Sequence, residues 1–415
     1  MKIRKKYLFY VLAFSSSITA AIISAIDAYI HKSFIPNPLA LGFAFFIVGV
    51  IISLLIILVL SLPIKGKSLG NRLIDPSFKR IRLVKKEELK YHILAGFGNT
   101  LLTISYVFMI SLFEGDPSTV LPFSQIAILY LVVIESVAEK NMPTIVEIQS
   151  SVIVTFGAIL GSISLTGEIT LESMTIVFLF MCPAWVLFSI YQRKLKLLRI
   201  NDSPNDSLNI RFWNVAFAFF FTAVIFLLYD FFIGTENFLA GFNVSFEFFG
   251  WLALSMGVTF FSYVFYIRAL GIGKASVTQA VRASIVIFTI PLSLLLYHLG
   301  VISTTFLGDP VSILLKIMGT ILLILGIVTF ALTLVKAYIF IKVKPGYPVE
   351  ETMQKIWDIR GVTRVTAVAG HYDYIVKIRT RTLIKGYERI LRKIQEIEAI
   401  KEYKWQSVLK EWENI

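Results

Sequence analysis

Residues 42–62, GFAFFIVGVIISLLIILVLSL, run for 21 positions without one ionisable side chain. A helix needs about 20 apolar residues to cross a hydrocarbon core of ~30 Å, so this stretch commits the chain to a bilayer. The composition agrees: of 415 residues, 56% are hydrophobic and 16% charged, against about 25% charged in a soluble domain. Hydropathy places ten spans, at roughly 7–30, 39–62, 91–112, 117–139, 145–165, 172–191, 212–233, 247–269, 275–298 and 311–335. Cys182, the one cysteine, lies inside an apolar run, which excludes a disulfide framework and a Cys-rich metal site.

A net charge of +13 invites a nucleic-acid partner, and its distribution excludes one. The N-terminal MKIRKK, the connection 63–90 and the segments around 140, 193–211 and 268–274 hold 21 Lys and Arg. The alternate set of connections holds only Lys32, with seven acids: Glu114, Asp116, Glu168, Glu172, Glu236, Glu247 and Asp309. That asymmetry predicts a multi-pass cell-membrane protein with both termini in the cytoplasm. MKIRKK before an apolar run also fits a signal peptide, but the repeat described next requires that segment as a span. Asn243-Val244-Ser245 forms a glycosylation sequon in an outer connection, a signal that mostly arises by chance.

GDPSTVLPFSQIAILYLVVIESVAEK (115–140) and GKASVTQAVRASIVIFTIPLSLLLYHLG (273–300) each open a span after a short connection, with Ser118 matching Ser276 at an offset of 158. Each is followed by a Gly-punctuated apolar helix. The chain thus divides into two halves of five spans, and an odd number makes the second half enter the bilayer from the opposite side. Inverted halves are a transporter arrangement, with the substrate at their shared interface. Over residues 7–335 the sequence resembles the ten-span EamA-type members of the drug/metabolite transporter superfamily. Pro122 and Glu135, the hairpin YIRALGIGKAS (266–276) and the Gly319/Gly326 spacing carry the resemblance. Ala280 and Ser293 depart from it, standing where a second Pro and Glu would fall. The resemblance implies export or import of amino acids and other small metabolites.

An ionisable side chain in mid-span costs roughly 2.5–3.5 kcal/mol, so each one needs a reason. Arg282, about two turns into the ninth span and beside Gln279 at i−3, either snorkels to the inner interface or lines an anion-binding cavity. Glu135 either caps a hairpin or couples protons. Asp27 is a candidate for an outer vestibule. Glu147 and Asp230 are placed at interfaces. Asn99, Gln125 and Asn214 lie deeper; such amides bridge helices or touch substrate, and Gln125 follows the helix-bending Pro122. Trp185 suits lipid and cavity equally.

From residue 336 the period changes. KAYIFIKVK alternates, with Ala337, Ile339, Ile341 and Val343 on one face. PVEETMQKIWDIR is a helix with Val349, Met353, Ile356 and Trp357 in one stripe. Two strands flank the turn Gly370-His371-Tyr372-Asp373. A helix then carries Ile384, Tyr387, Ile390, Leu391, Ile394 and Ile397, and a last strand aligns Tyr403, Trp405 and Leu409. The order β-α-β-β-α-β predicts a ferredoxin-like unit. KVKPG, RGV, the Gly-x-Tyr-Asp turn and a closing VL resemble the effector-binding domain of Lrp/AsnC-type regulators. That resemblance implies dimerisation and amino-acid binding near the turn, with Gly370, Tyr372 and Asp373 as effector contacts. Turn chemistry alone also accounts for Gly370 and Asp373. No helix-turn-helix precedes the domain, so DNA binding is not implied.

The expectation is an all-α polytopic membrane bundle of ten transmembrane helices in two inverted repeats, residues 1–165 and 166–335, plus a small α+β ferredoxin-like domain at 336–415. It is read as a secondary transporter of amino acids or related anionic or zwitterionic metabolites, working by alternating access. A cytoplasmic amino-acid sensor regulates it. The alternative is a membrane-anchored amino-acid receptor that moves nothing. The expected partners are the lipid bilayer, a small-molecule substrate, an amino-acid effector and a second copy through the tail. No enzyme motif, cofactor or metal site is expected. The substrate pathway is placed at Arg282, Gln279, Gln125, Asn99, Glu135 and Asp27.

Overall fold

The structure is a computed structural model. It describes residues 5–113, 121, 124–138, 145–162, 171–200, 203–301, 310–332, 335–359, 361–380 and 390–407. The chain folds as two units, Met1–Val137 with Ser150–Ile327, and Ala138–Gln149 with Val328–Ile415.

The helices, nearly all of whose residues fall in the first unit, are α1 (Lys5–Ser33), α2 (Pro38–Leu60), α3 (Lys86–Leu112), α4 (Ala127–Ala138), α5 (Ile145–Ser162), α6 (Leu171–Leu197), α7 (Ser207–Ile233), α8 (Asn237–Glu247), α9 (Phe249–Leu270), α10 (Ala275–Arg282), α11 (Ile285–His298) and α12 (Pro310–Leu332). Among the described residues eight helices are long and apolar enough to cross a membrane, counting Ala275–His298 as one. Two shorter apolar helices, Ser124–Glu135 and Ile148–Gly161, fall at the fourth and fifth expected spans. Helix α8 is not expected from hydropathy. It packs on α2, where a Cβ at Gly241 would stand 2.8 Å from the Phe43 ring. It also holds the sequon, whose Ser245 is buried and donates to the Gly241 carbonyl while Asn243 is exposed. Asp230 caps the start of α8, accepting from Phe238 N at 2.7 Å and Thr235 Oγ1 at 2.6 Å.

Three of these helices depart from regular α geometry. In α6, Ile176–Met181 is a π-helix, and Cys182 N donates five residues back to Val177 O. Pro183 follows it, and a proline ring collides with the carbonyl four residues earlier, which the wider turn relieves. In the first half a 3-10 segment, Ser124–Ile126, precedes α4. In the second half the helix breaks at Ala283–Ser284 before α11. The two restarts, Ala127 and Ile285, lie at the same 158-residue offset as the sequence repeat. Ser118 and Pro122 lie outside the described residues.

Helices α5 and α12 meet backbone to backbone. A Cβ on Gly319 would stand 2.4 Å from Gly161 N, and one on Gly157 would stand 2.8 Å from Gly319 O. Small residues permit such approach and are enriched where membrane helices associate. Lys316 Nζ donates to Gly161 O at 3.0 Å across the same contact.

The second unit carries β1 (Val335–Val343), α13 (Val349–Trp357), β2 (Val362–Ala367), β3 (Tyr374–Thr380) and β4 (Ile400–Ser407), with residues 390–395 helical. Its antiparallel sheet runs β2-β3-β1-β4, the strand order of a ferredoxin-like fold. Ala337, Ile339 and Ile341 are fully buried, as their alternation predicts, over a core with Ile356, Val376, Ile378 and Ile394. The α13 stripe is narrower than expected. Ile356 is buried and Met353 packs on the core, but Val349 and Trp357 are about half exposed, because they fall at the helix's two ends. Ile384, Tyr387 and Leu409 lie outside the described residues.

Candidate functional site

The helical unit holds a partly open chamber of about 120 Å³, bordered by the 3-10 segment and by the break after Arg282. Ser124 and Gln125 come from the 3-10 segment; Arg282 and Ile285 flank the break. A break releases backbone groups that a continuous helix would satisfy. One is taken up locally: the Arg282 carbonyl accepts from Ser17 Oγ at 3.1 Å, which ties α1 to the break. The amides of the two halves also meet, with Gln279 Nε2 donating to Gln125 Oε1 at 3.2 Å.

Arg282 is 5% exposed, and its guanidinium carbon lies 4.8 Å from the Trp185 ring centroid, 5.1 Å from Tyr266 and 5.6 Å from Tyr263. This is a guanidinium held inside the bundle by π faces, a contact worth about 2 kcal/mol when desolvated. The snorkelling reading is therefore set aside. A second arginine stands across Tyr263: Arg211 lies 4.4 Å over that ring, is 4% exposed, and donates weakly to Asn214 Oδ1 at 3.4 Å. Among the described residues neither guanidinium pairs with a carboxylate, and the Nε–H of both is unpartnered. Buried donors of this kind strongly favour an acceptor, best a carboxylate or phosphate that takes the planar fork two bonds at a time.

Of the six expected pathway residues, Arg282, Gln125, Asn99 and Asp27 line the chamber. Gln279 stands behind Gln125. Glu135 lies elsewhere: it accepts from Ala275 N (2.7 Å), Ser276 N (3.1 Å) and Ser276 Oγ (2.6 Å), and pairs with Arg193 at 3.3 Å. It caps α10, a placement favoured by the positive end of that helix. Asn214 serves Arg211, and Trp185 is chamber wall. The Glu147 side chain is outside the described residues. Sequence reasoning missed Arg211, Tyr106, Tyr263 and Ser262, all on the wall. Arg211 was counted among loop charges because it stands only four residues into α7. The signal that finds it is Asp206, a helix-capping residue, which places Arg211 inside the helix.

A separate ionic cluster ties the connection 63–85 to α3, α6 and α7. Arg82 makes a bidentate pair with Glu88 (2.6 and 2.7 Å) and reaches Asn205 Oδ1 at 2.7 Å; Lys196 pairs with Asp75 at 2.7 Å. Burial disfavours the Asp75 charge, yet Lys196 and the Ser207 and Ser77 amides outweigh it and bring its pKa down to about 2. Hydrogen bonding to Glu88 raises that of Arg82, and burial raises that of Asp206.

In the tail, the Gly370–Asp373 turn is closed onto β1: Asp373 Oδ2 accepts from Val343 N at 2.7 Å, and Asp373 N donates to Ile341 O at 2.9 Å. The half-buried Tyr372 ring lies 5.6 Å from Phe340, and Gly370 is exposed. Among the described residues no cluster of three His, Cys, Asp or Glu forms a metal-binding group.

A family model described as the Lrp/AsnC ligand binding domain matches residues 336–414. No curated protein matches the chain. A solved structure titled only "Crystal structure of protein" is similar at 12% identity and a TM-score of 0.45, over 77% of this chain and 95% of that one. The C-terminal segment is thus a Lrp/AsnC ligand-binding domain, a type that binds amino-acid effectors and commonly dimerises, beside a helical region compatible with a multi-pass membrane protein.

Proposed function

We propose that the helical unit is a ten-span secondary transporter of the EamA type, moving amino acids or related anionic or zwitterionic metabolites by alternating access. Both termini then lie in the cytoplasm, and the C-terminal domain senses an amino acid and regulates transport. The observation that carries this reading is the chamber itself. A 3-10 segment and a helix break at equivalent positions of the repeat border one partly open space, and a guanidinium that meets no carboxylate among the described residues faces into it. Interrupted helices at mid-depth are how transporters expose polar backbone to cargo. Arg282 and Arg211 supply the anion seat; Asn99, Gln125 and Ser124 supply neutral hydrogen bonding around it.

The receptor reading draws support from the family match, which is confined to the tail. Counterflow in proteoliposomes loaded with a mixture of the common amino acids separates the two. Accumulation of labelled amino acid supports the transporter; none, with amino acid bound by the intact chain, supports the receptor.

A further inference from the structure

Asp27, on α1, is 2% exposed and borders the chamber. Its Oδ2 accepts from Tyr106 OH at 3.3 Å and its Oδ1 from Ser255 Oγ, so both oxygens are held by neutral hydroxyls. The other buried acids of the described helical unit are differently occupied. Glu88, Glu135 and Asp75 each meet a cation, and Asp206 caps α7. The titratable and charged groups around Asp27 are Tyr106 on α3, Arg211 on α7, Tyr263 on α9, Arg282 on α10 and, one turn along α1, His31, whose Nδ1 is bonded to Ile35 O at 3.1 Å. None of the cations among them is within hydrogen-bond reach of Asp27 in the described structure.

We propose that Asp27 is a proton-binding site, which takes up and releases one proton through the chamber as the cargo moves. An ionised carboxylate buried without a cation is expensive, and two hydroxyls offset part of that. A carboxyl that exchanges a proton suits such a seat, whereas a permanently charged one requires a partner. The exchange needs little rearrangement. A proton arriving from chamber water bonds to Oδ2, and the new O–H donates to the Tyr106 oxygen, whose own hydrogen swings away. Ser255 continues to donate to Oδ1. Release reverses these steps. Cargo and proton then have separate seats in one chamber, the anion at the two arginines and the proton on α1. Glu135, a coupling candidate from sequence, cannot change charge without releasing both Arg193 and the start of α10.

The purpose assigned to the site rests on the transporter reading, but its first test does not. The full chain in detergent is examined by infrared difference spectroscopy between about pH 5 and pH 9. A protonated-carboxyl stretch that appears on acidification in the wild type and disappears in Asp27→Asn is the expected result. Spectra identical in the two proteins overturn the proposal. In proteoliposomes, a mixture of labelled common amino acids is the probe. Wild-type uptake should rise several-fold with an inward proton gradient, the response should vanish in Asp27→Asn, and Asp27→Glu should restore part of it. A gradient response unchanged in Asp27→Asn removes Asp27 from coupling. If the wild type moves no amino acid while the infrared band still depends on Asp27, the transporter reading fails and the proton site stands.

Discussion

Arg282 shows how much one side chain can reveal and conceal. Its residue type and depth mark it from sequence, but which way the guanidinium turns depends on Trp185, Tyr263 and Tyr266, which stand on other helices and meet it only after folding. Arg282→Ala should leave a folded protein with amino-acid counterflow reduced more than tenfold, a loss of at least about 1.4 kcal/mol of cargo binding. Undiminished counterflow would return Arg282 to a packing role. Asp75 makes a different prediction. Its folded pKa of about 2 lies below the ordinary 3.8, so it adds stability above about pH 4 that is lost as pH falls towards 2, of order 2 kcal/mol. Melting of the detergent-solubilised protein across that window should be less acid-sensitive in Asp75→Asn, which also melts lower at neutral pH.

Elements were legible wherever apolar runs were long. Eight of the ten expected spans fall on helices long and apolar enough to cross a membrane among the described residues, and the alternation of β1 predicted its buried face. What escaped was shape within an element. The π-turn in α6, the 3-10 segment before α4 and the break after Arg282 leave hydropathy unchanged, since a broken helix is as apolar as an intact one. Pro183 and the repeat offset were the available hints. Glycine spacing was legible, but its use was not: Gly319 matters because Gly157 and Gly161 lie against it. Gly319→Leu should destabilise the helical unit by about 2 kcal/mol or more, as overpacking against unyielding backbone does, and lower the melting temperature in detergent. Gly250, which has nothing within 4 Å of a built Cβ, should tolerate the same change.

At the scale of the whole molecule, a Lrp/AsnC ligand-binding domain follows a helical region with only residues 333–334 between α12 and β1. The domain was legible because its turn and strand signatures are local and contiguous. The chamber was half legible: four of the six expected residues line it, while Arg211, Tyr106 and Tyr263 were hidden by looking like loop charge or ordinary aromatic filler. If the tail regulates, an amino acid must bind it differently in the two transport states. Removing residues 337–415 should then abolish any change in transport rate on adding amino acids to the cytoplasmic face. A response that survives the truncation would place regulation in the bundle.

The contact between α10 and the 3-10 segment, Gln279 on Gln125, joins carboxamide to carboxamide. Both residues are buried, and dissolved salt shields exposed ions but barely touches a buried dipole pair. If the halves rock as proposed, the joint between them is therefore deaf to ionic strength. The Arg82–Glu88 and Lys196–Asp75 clasps are nearly so, because their carboxylates are buried too. Brine should spare the joint and reach the clasps chiefly through the partly exposed Arg82.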